Sequence, residues 1–597
     1  MIKKCLYEGA MVIVYQRIVT LFLLFFSVSL FAVQTPSATH IIRFEGNTYF
    51  DTDTLADVAG AKGKRFFQFW KDDTVHIDDW LIPTLEPTLR NFYESEGFYH
   101  VKIKIKEDNT TVVVHIDAGK PVRVHDLNIS SDFDISKLVT FQRGERFRAK
   151  KFVEIKAEII KALLEQGYCS YDLDTKAYVD LDKNIADLRY RLKKGGICRF
   201  GETTIKGLKT IDKDVVMSRV RAKKGERFDP KKVRETQEDI YKLQSFESVN
   251  VSVARKFFNV IPVDITVKEL EKAYHVELGA GYDTYVGPRI HGSIEKKNFF
   301  GNAQKSRLRL SWSPREQLAI ADFYKPALFL LNQYYGIDFG VNGGYSNLEY
   351  KGFREEKEFL KSYLEHFEGR YRIKAGLGIE NIRIKAEKQT HDRLEQAIKE
   401  GAFLLLYPFL DIVYDARDDK LNPQNGYYLS GSIEYGLPYK AGASVYVKSY
   451  LEARVIHTFD KLTMAAVAKA GVVDRASNDL PESKLFFSGG SFYNRAYGYR
   501  SIGVITSPTE DSIFGASTML NLSVEADYPI KGDFYGALFS DNTMMNGKSY
   551  DFTGEVINSV GVGVRYMTPV GPFKLDVGFN IHDPSQYGIT FQIGQSF

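Results

Sequence analysis

The side chains that most often perform enzymatic chemistry are present in this sequence, but they do not have the spacing of common catalytic motifs. The chain contains no G-x-S-x-G, H-E-x-x-H, G-x-x-x-x-G-K-[ST] or C-x-x-C sequence, and its 11 histidines are scattered. These motifs mark serine hydrolases, zinc peptidases, phosphate-binding loops and thiol redox sites. We therefore expect no enzyme, no catalytic residue, no metal site and no cofactor, and a lipid hydrolase without these motifs stays an alternative.

The cysteines also point away from redox or scaffold chemistry. Cys169 and Cys198 are the two that follow the first 32 residues. Two cysteines are too few for a disulfide scaffold. One bridge between them is an alternative, and we favour two buried thiols.

The composition favours β structure over a nucleic-acid-binding surface. The chain carries 80 Lys and Arg against 76 Asp and Glu, a net charge of +4, which provides no global field for nucleic acid or an acidic substrate. Phe (42), Tyr (36) and Gly (47) are abundant, whereas Trp (3) is rare. Aromatic residues and glycine in this proportion favour strands with bulges and an aromatic belt.

The N-terminal segment has the pattern of a secretory signal. Arg17 precedes an apolar run that ends beside the small residue Ala32. The run is short for the about 20 residues that a membrane-spanning helix needs, so we favour a signal peptide at 1–32 over a membrane anchor. Met1 and Met11 are both candidate starts. No later stretch is long and apolar enough for a transmembrane helix, so membrane insertion would have to use strands.

A repeated pattern of short strands and helices runs from residue 39 to residue 270. Its clearest repeat is Gly-Glu-Arg-Phe, at 144–147 and again at 225–228, each time followed by a helical segment. After the earlier copy, the helix at 149–166 places apolar residues on one face and stops at Gly167. We predict three α+β modules of about 75 to 80 residues each, at 39–119, 120–197 and 198–270.

Each module should contain a small mixed sheet with an exposed edge strand. Such an edge offers backbone N–H and C=O groups to an extended peptide, whatever its side chains. Edge addition would suit unfolded client polypeptides. In the alternative interpretation the edge strands are blunted or covered and the modules act only as a spacer. We consider the two interpretations equally good.

From residue 271 to residue 597 a two-residue alternation replaces the helical pattern. In the last strand Tyr587, Ile589, Phe591 and Phe597 share one face, and glycine and polar residues share the other. An apolar outer face over a charged, glycine-rich inner face is typical of a lipid-embedded barrel rather than of two packed soluble sheets. At about 20 residues for each strand and its connection, the segment supplies about sixteen antiparallel strands.

Closure of this barrel would pair the first strand, at 274–282, with the last. The residues expected at this lateral seam are Val276, Leu278, Gly279, Gly588, Phe591 and Gly594. Glycines weaken strand pairing, so the seam could open sideways. They could instead relieve crowding in the lumen, and from sequence alone we slightly favour this second interpretation.

The segment at about 474–514 carries the most specific motif of the chain. It contains Phe-Phe-Ser-Gly-Gly at 486–490, followed by Arg495, Ala496 and Tyr497. It resembles the sixth extracellular loop of the BamA/TamA family of outer-membrane assembly proteins, which join POTRA domains to a sixteen-stranded barrel. In that family the loop folds back into the lumen and presents an Arg-Gly-aromatic tip, and Ala496 stands here where Gly is usual.

The resemblance covers the chain from about residue 39 to its end and implies roles for further residues. Glu525 and Asp541 match the acidic partners of the loop arginine, which needs them because an unpaired buried charge costs several kcal/mol. A solvated arginine at position 495 is the alternative. Phe591 and the terminal Phe597 resemble the C-terminal signal by which barrels are themselves inserted.

The family also implies a function and a location. A protein of this kind lies in the bacterial outer membrane with its POTRA domains in the periplasm, and it inserts or secretes client proteins by β-strand addition at the lateral seam. The expected partners are unfolded outer-membrane or secreted clients, outer-membrane lipid and a periplasm-spanning protein bound through the POTRA domains, with no nucleic acid.

Rival functions stay open. Three modules favour the TamA-like branch over the BamA-type general insertases, which have five, and over the two-partner secretion transporters, which have two. A passive pore or adhesin is the rival of a different class. Simple porins do not carry periplasmic modules, so the region at 39–270 argues against that rival.

Overall fold

The computed structural model describes residues 39–61, 74–108, 110–253, 259–271, 274–283, 287–350, 352–386, 399–438, 444–477, 479–504, 513–568 and 571–593. The signal peptide predicted at 1–32 lies outside these residues. The chain forms two compact units, one extending to Ile160 and including Asp172–Lys193, the other made of Lys161–Tyr171 and the residues from Lys194 onward. Within the described ranges, no helix has the length and apolar character needed to cross a bilayer.

The first module combines a four-stranded sheet with two helices. Its elements are β1 (Thr39–Glu45), α1 (Thr52–Val58), β2 (His76–Asp78), α2 (Ile82–Ser95), β3 (Lys102–Glu107) and β4 (Thr111–Asp117). The sheet order is β2-β1-β4-β3, with β1 parallel to β4. Alternate residues of β4, Val112 and Val114 among them, are buried in one hydrophobic cluster with Leu85 and Leu89 of α2.

The second module has three strands and one long helix. Its elements are β5 (Arg123–Ser131), α3 (Ala149–Glu165), β6 (Tyr171–Asp180) and β7 (Ile185–Lys194), in the sheet order β5-β7-β6. Helix α3 buries Ile155, Ile159 and Leu163, which recur at the spacing of one helical face. Gly167 follows it with a positive φ of 77°, a conformation that glycine adopts without strain. This is the helix and the stop that the sequence predicts.

The third module repeats the mixed sheet with two helices. Its elements are β8 (Arg199–Lys206), α4 (Lys213–Met217), α5 (Pro230–Tyr241), β9 (Phe246–Val253) and β10 (Val260–Glu269), in the sheet order β8-β10-β9. Helix α5 begins where Asp229 accepts a hydrogen bond from the Lys231 N–H, with Pro230 in its first turn. Phe200, Ile240 and Val263 belong to the hydrophobic core of this module.

A disulfide joins Cys169 to Cys198 within the same core, so the preference for two buried thiols is wrong. The Cys198 N–H donates to the Gly167 carbonyl at 2.9 Å, and this local strand-like pairing brings the two cysteine Cα atoms to 5.9 Å. That separation is normal for a disulfide. The contact joins positions 29 residues apart, which the spacing of cysteines in a sequence does not reveal.

The rest of the described chain forms a sixteen-stranded sheet in which each strand pairs antiparallel with the next. Its strands are β11 (Tyr274–Asp283), β12 (Gly287–Lys297), β13 (Lys305–Trp312), β14 (Glu316–Asn332), β15 (Tyr335–Tyr350), β16 (Phe353–Glu368), β17 (Tyr371–Ala386), β18 (Gly401–Asp415), β19 (Gly426–Pro438), β20 (Tyr446–Phe459), β21 (Leu462–Arg475), β22 (Thr518–Lys531), β23 (Phe534–Asn546), β24 (Val556–Tyr566), β25 (Phe573–Asn580) and β26 (Tyr587–Ile593). The predicted fold class, α+β modules followed by an antiparallel barrel of sixteen strands, is confirmed.

The alternation of the final strands is visible in their side-chain exposure. Leu575 of β25 pairs with Phe591 of β26, and both side chains are exposed, Phe591 by 54%. Lys574 and Asp576, on either side of Leu575, are buried. The outer face is therefore apolar and the inner face charged, as a lipid-facing barrel requires.

The predicted pairing of the first strand with the last stays a prediction. The described residues of β11 and β26 form no ladder pairs with one another, and each lies at one end of the strand order. Residues 284–286 and 594–597, which flank the predicted seam, lie outside the described chain, and so do Gly594 and Phe597.

Candidate functional site

The described residues between β21 and β22 fold against inward-facing side chains of the sheet. We call these residues, 476–477, 479–504 and 513–517, the luminal loop. Two antiparallel bridges, Phe486 with Ala516 and Ser488 with Ile502, form its base. Phe486 and Ala516 belong to a buried cluster with Tyr407 of β18 and Tyr446 of β20. Residues 489–501, beyond the two bridges, form the tip.

Arg495 of the tip is surrounded by carboxylates. Its Nε and one terminal nitrogen donate to the two oxygens of Asp541 at 2.9 and 3.0 Å, and its backbone N–H donates to Asp541 Oδ2 at 3.0 Å. Its other terminal nitrogen pairs with Glu525 and lies 3.4 Å from Asp576. The guanidinium carbon lies 3.4 Å from the ring centroid of Phe539. A two-pronged, charge-assisted contact of this kind fixes orientation as well as supplying energy.

The structure therefore brings together the three charged residues that the sequence singled out, Arg495, Glu525 and Asp541. All three are buried, Arg495 with 5% of its surface exposed. A buried cation held by two carboxylates is stable only while its partners stay in place, because removing one leaves an uncompensated charge. The arrangement can act as a mechanical lock on the loop, and its role in function stays a prediction.

Sequence reasoning missed three further members of this network, Arg565, Lys574 and Asp576. Arg565 donates to Glu525 at 2.7 Å and to Asp576 at 2.5 Å, and the Lys574 ammonium lies 3.5 Å from Glu525. Each occupies a position that faces the lumen in the two-residue alternation of its strand. This alternation was the feature of the sequence that could have identified them. A charged residue facing a barrel lumen needs a partner of opposite charge once a loop excludes water.

Ala496, next to Arg495, takes the place of the usual glycine without backbone strain. Its side chain is fully buried, and it is not among the described residues with positive φ. The Ala496 carbonyl accepts a hydrogen bond from Gln586 Nε2 at 2.9 Å. The Tyr497 hydroxyl accepts one from Asn580 Nδ2 at 2.5 Å. These contacts tie the tip to the last residue of β25 and to the segment that connects β25 with β26.

The tip also lies directly on the last two strands. A Cβ atom added at Gly588 of β26 would lie 2.4 Å from the Arg495 carbonyl oxygen, and one added at Gly578 of β25 would lie 2.9 Å from the Ala496 nitrogen. Only glycine allows so close an approach of two backbones. At Gly588 the geometry therefore favours the interpretation that glycine makes room in the lumen.

The predicted seam residues of the first strand lie on its two faces. Val276 and Leu278 are exposed, Leu278 by 85%, as outward-facing side chains at the start of a sheet would be. Gly279 pairs with His291 of β12, and a Cβ atom at Gly279 would overlap the His291 ring at 2.2 Å. This glycine therefore makes space for an imidazole ring.

Buried charges attach the third module to strands β14, β15 and β16. Arg219 pairs with Asp338 at 2.6 Å, and Asp338 also accepts from Tyr324 and from the Ala327 N–H. Both members of the pair are fully buried. The Arg219 guanidinium lies 4.7 Å from the ring centroid of Phe367.

Lys223 adds a second connection between this module and the barrel. It donates to the Tyr335 hydroxyl at 2.5 Å and to Glu368 at 3.1 Å. Burial alone would lower the pKa of Lys223, but these two hydrogen bonds raise it above the usual lysine value. The lysine therefore stays protonated at neutral pH and keeps both contacts.

None of these arrangements has the geometry of a catalytic centre. Across the residues that the structure describes, no group of three or more His, Cys, Asp or Glu side chains could hold a metal ion. The buried arginines are held by carboxylates and aromatic rings, which orient them and leave no nucleophile beside a base. The features that stand out are a locked loop, a strand beneath it and a module attached to the barrel.

Two family models match the chain. The model described as Omp85 superfamily domain matches residues 298–597. The POTRA model, described as surface antigen variable number repeat, matches residues 198–270.

Known proteins similar to this chain include two outer membrane protein assembly factors named BamA. The BamA of Neisseria meningitidis serogroup B (strain MC58) is 22% identical over 634 aligned positions, covering 93% of this chain and 78% of that protein. The BamA of Nitratidesulfovibrio vulgaris (strain Hildenborough) is 20% identical over 593 positions, covering 93% and 73%.

A solved structure shares the fold. It is the crystal structure of BamA from Haemophilus ducreyi lacking POTRA domains 1–3, with a TM-score of 0.52 and 16% identity. The likeness covers 79% of this chain and 99% of that one. At this level of identity it concerns the fold alone.

Proposed function

Because this chain belongs to the Omp85 superfamily, we propose that it inserts or secretes client proteins through β-strand addition at a seam between β11 and β26. It is an outer-membrane protein with POTRA domains on the periplasmic side, and it is an assembly or transport protein rather than an enzyme. The observation that carries the proposal is the position of the loop tip, with Arg495 paired to Asp541 and its carbonyl oxygen lying over Gly588 of the last strand.

This contact couples the lock to the seam. The Arg495 backbone lies on β26, so an inward shift of β26 at Gly588 would collide with the tip while Arg495 keeps its carboxylates. Release of the tip would free the inner face of the last strand. A client strand could then pair with β11 near Val276 and Leu278, and its backbone hydrogen bonds would supply the driving force. No nucleotide or ion gradient is required if client folding provides the free energy.

The modules supply further edges for client chains. Their outermost strands are β2 and β3 in the first sheet, β5 and β6 in the second, and β8 and β9 in the third. Strands β5 and β8 already carry short bridges, from Arg123 to Arg146 and from Arg199 to Arg227. We therefore favour β6 and β9 for binding extended segments of clients or of a periplasm-spanning partner.

The branch within the superfamily is the finer part of the proposal. Three modules favour a TamA-like factor for autotransporters or outer-membrane proteins, with a BamA-type insertase or a two-partner secretion transporter as alternatives. Outer-membrane lipid and unfolded clients are the partners that any of these would share.

Depletion of the protein tests this function. We expect the outer-membrane proteome to lose a subset of barrels or autotransporters, and re-expression of the intact chain to restore them. Loss of a secreted protein alone would favour the secretion transporter. Unchanged outer-membrane and secreted proteomes after full depletion would contradict the proposal.

A further inference from the structure

We propose that Lys484 is a second anchor of the luminal loop, which holds the base of the loop to mid-barrel strands while Arg495 holds the tip. Release of Arg495 would then move residues 489–501 only, and the base would stay in the lumen. The consequence for gating rests on the proposed function, whereas the anchor itself does not.

Lys484 is bound by two acidic residues from different strands. Its ammonium nitrogen lies 2.8 Å from Glu380 Oε2 of β17 and 2.8 Å from Glu434 Oε1 of β19. The Lys484 side chain is 9% exposed and those of Glu380 and Glu434 are 5% and 16% exposed. Removing this cation would take the nearest counter-charge away from both carboxylates, and the next ammonium group paired with Glu380, that of Lys361, lies at 3.7 Å.

Tyrosine hydroxyls and a second lysine complete the surroundings of Lys484. Tyr407 donates to Glu380 at 2.5 Å and Tyr446 donates to Glu434 at 2.8 Å. The Lys448 ammonium donates to the Lys484 carbonyl at 2.8 Å, so the backbone is held as well as the side chain. The Lys484 ammonium also lies 4.4 Å from the ring centroid of Tyr407. A site with this many directed contacts specifies one position for the loop base.

The two anchors use different parts of the barrel. Lys484 contacts residues of β17 to β20, whereas the carboxylates around Arg495 belong to β22, β23 and β25. Between the anchors, Gly489 and Gly490 both adopt positive φ, at 100° and 88°. The bridge from Ser488 to Ile502 closes the base just before these glycines. We place the hinge between the tip and the base at this glycine pair.

Cysteine labelling separates the two anchors. Ser483→Cys reports on the base and Ser491→Cys on the tip, and a maleimide applied to the full-length protein in outer-membrane vesicles measures how often each becomes accessible. The parent protein without either reporter gives the background. Heat-modifiable migration of the barrel on gels verifies the fold of every variant.

Lys484→Met should raise the labelling rate at position 483 by about tenfold and leave position 491 unchanged, because only the base is released. Arg495→Met should do the reverse, and Lys484→Arg should restore protection at 483. Glu434→Gln keeps one carboxylate, that of Glu380, for Lys484, and it should raise labelling at position 483 by a smaller factor. This variant replaces Lys484→Met in the test if Lys484→Met does not fold.

Equal increases at both positions in Lys484→Met would overturn the proposal, since the loop would then be held as one unit. Unchanged labelling at 483 in both Lys484→Met and Glu434→Gln would overturn it as well. Labelling requires no client, so a protein without assembly activity would still report on its anchors.

Discussion

Gly588 lies directly beneath the carbonyl oxygen of Arg495, where an added Cβ atom would come within 2.4 Å of that oxygen. The last strand and the lock of the loop are therefore in backbone contact. Gly588→Ala should push the tip off β26 and reduce client assembly while the barrel still folds, because the methyl group enters the lumen. Quantitative comparison of client levels in the outer membrane measures this.

Gly547→Ala is the matched control for Gly588→Ala. A Cβ atom at Gly547 would meet its nearest neighbour, Val504, at 3.8 Å, which is ordinary contact. The control should leave client assembly unchanged. Equal client levels in both variants would show that the contact between the tip and β26 does not contribute to client assembly.

Charge neutralisation at Asp541 should destabilise the closed loop strongly. Asp541→Asn removes one of the carboxylate charges around Arg495 and should cost about 3 kcal/mol, the lower end of the typical penalty for breaking a buried ion pair, because Glu525 still faces Arg495. In the double variant Arg495→Gln/Asp541→Asn the cost should be less than the sum of the two single costs, because the pair is removed together. Urea unfolding of the barrel measures all four proteins, and simple additivity would contradict a direct pairing.

Breaking the buried ion pair between the third module and the barrel, Arg219 with Asp338, should also lower stability strongly. Arg219→Met leaves Asp338 charged and buried, so a cost of about 3 to 5 kcal/mol is expected, and Arg219→Met/Asp338→Leu should recover part of it. Lys268→Gln, which breaks the exposed pair with Glu247, is the control and should have no measurable effect. Thermal unfolding of the full chain measures these differences. No loss in Arg219→Met would show that this buried pair does not hold the module.

The disulfide between Cys169 and Cys198 should stabilise the third module. Replacing both cysteines with serine should lower its stability by about 2 to 4 kcal/mol, as is typical for native bridges. Thiol counting under denaturing conditions, with and without prior reduction, verifies the bridge. Two free thiols at these positions in the unreduced protein would contradict it.

Local patterns in the sequence predicted most of the fold. The helix that ends before Gly167 and the alternation around Leu575 and Phe591 depend on neighbours a few residues away, so periodicity reveals them. The resemblance of the loop motif placed Arg495, Glu525 and Asp541 in one site. The structure brings these three into contact.

What the sequence did not reveal depends on contacts between distant segments. Arg565 and Asp576 occupy inward positions, but their pairing follows from the register of β24 against β25 and from the loop that covers them. The Lys484 cluster draws its partners from β17 and β19, about 50 residues or more away along the chain, so that no local motif marks it. The cysteine bridge is of the same kind.

The most direct test of strand addition at the seam is a reversible covalent lock. In each variant one cysteine is placed at a position from 276 to 280 in β11 and a second at a position from 587 to 591 in β26. The pairs are oxidised in the membrane, and the pair that cross-links most completely is kept. Val562→Cys/Val577→Cys, at directly paired positions of β24 and β25, is the control that undergoes the same oxidation and reduction. The locked seam should abolish client assembly, reduction should restore it, and the control should stay active throughout. Full client assembly with the seam completely locked would contradict the account.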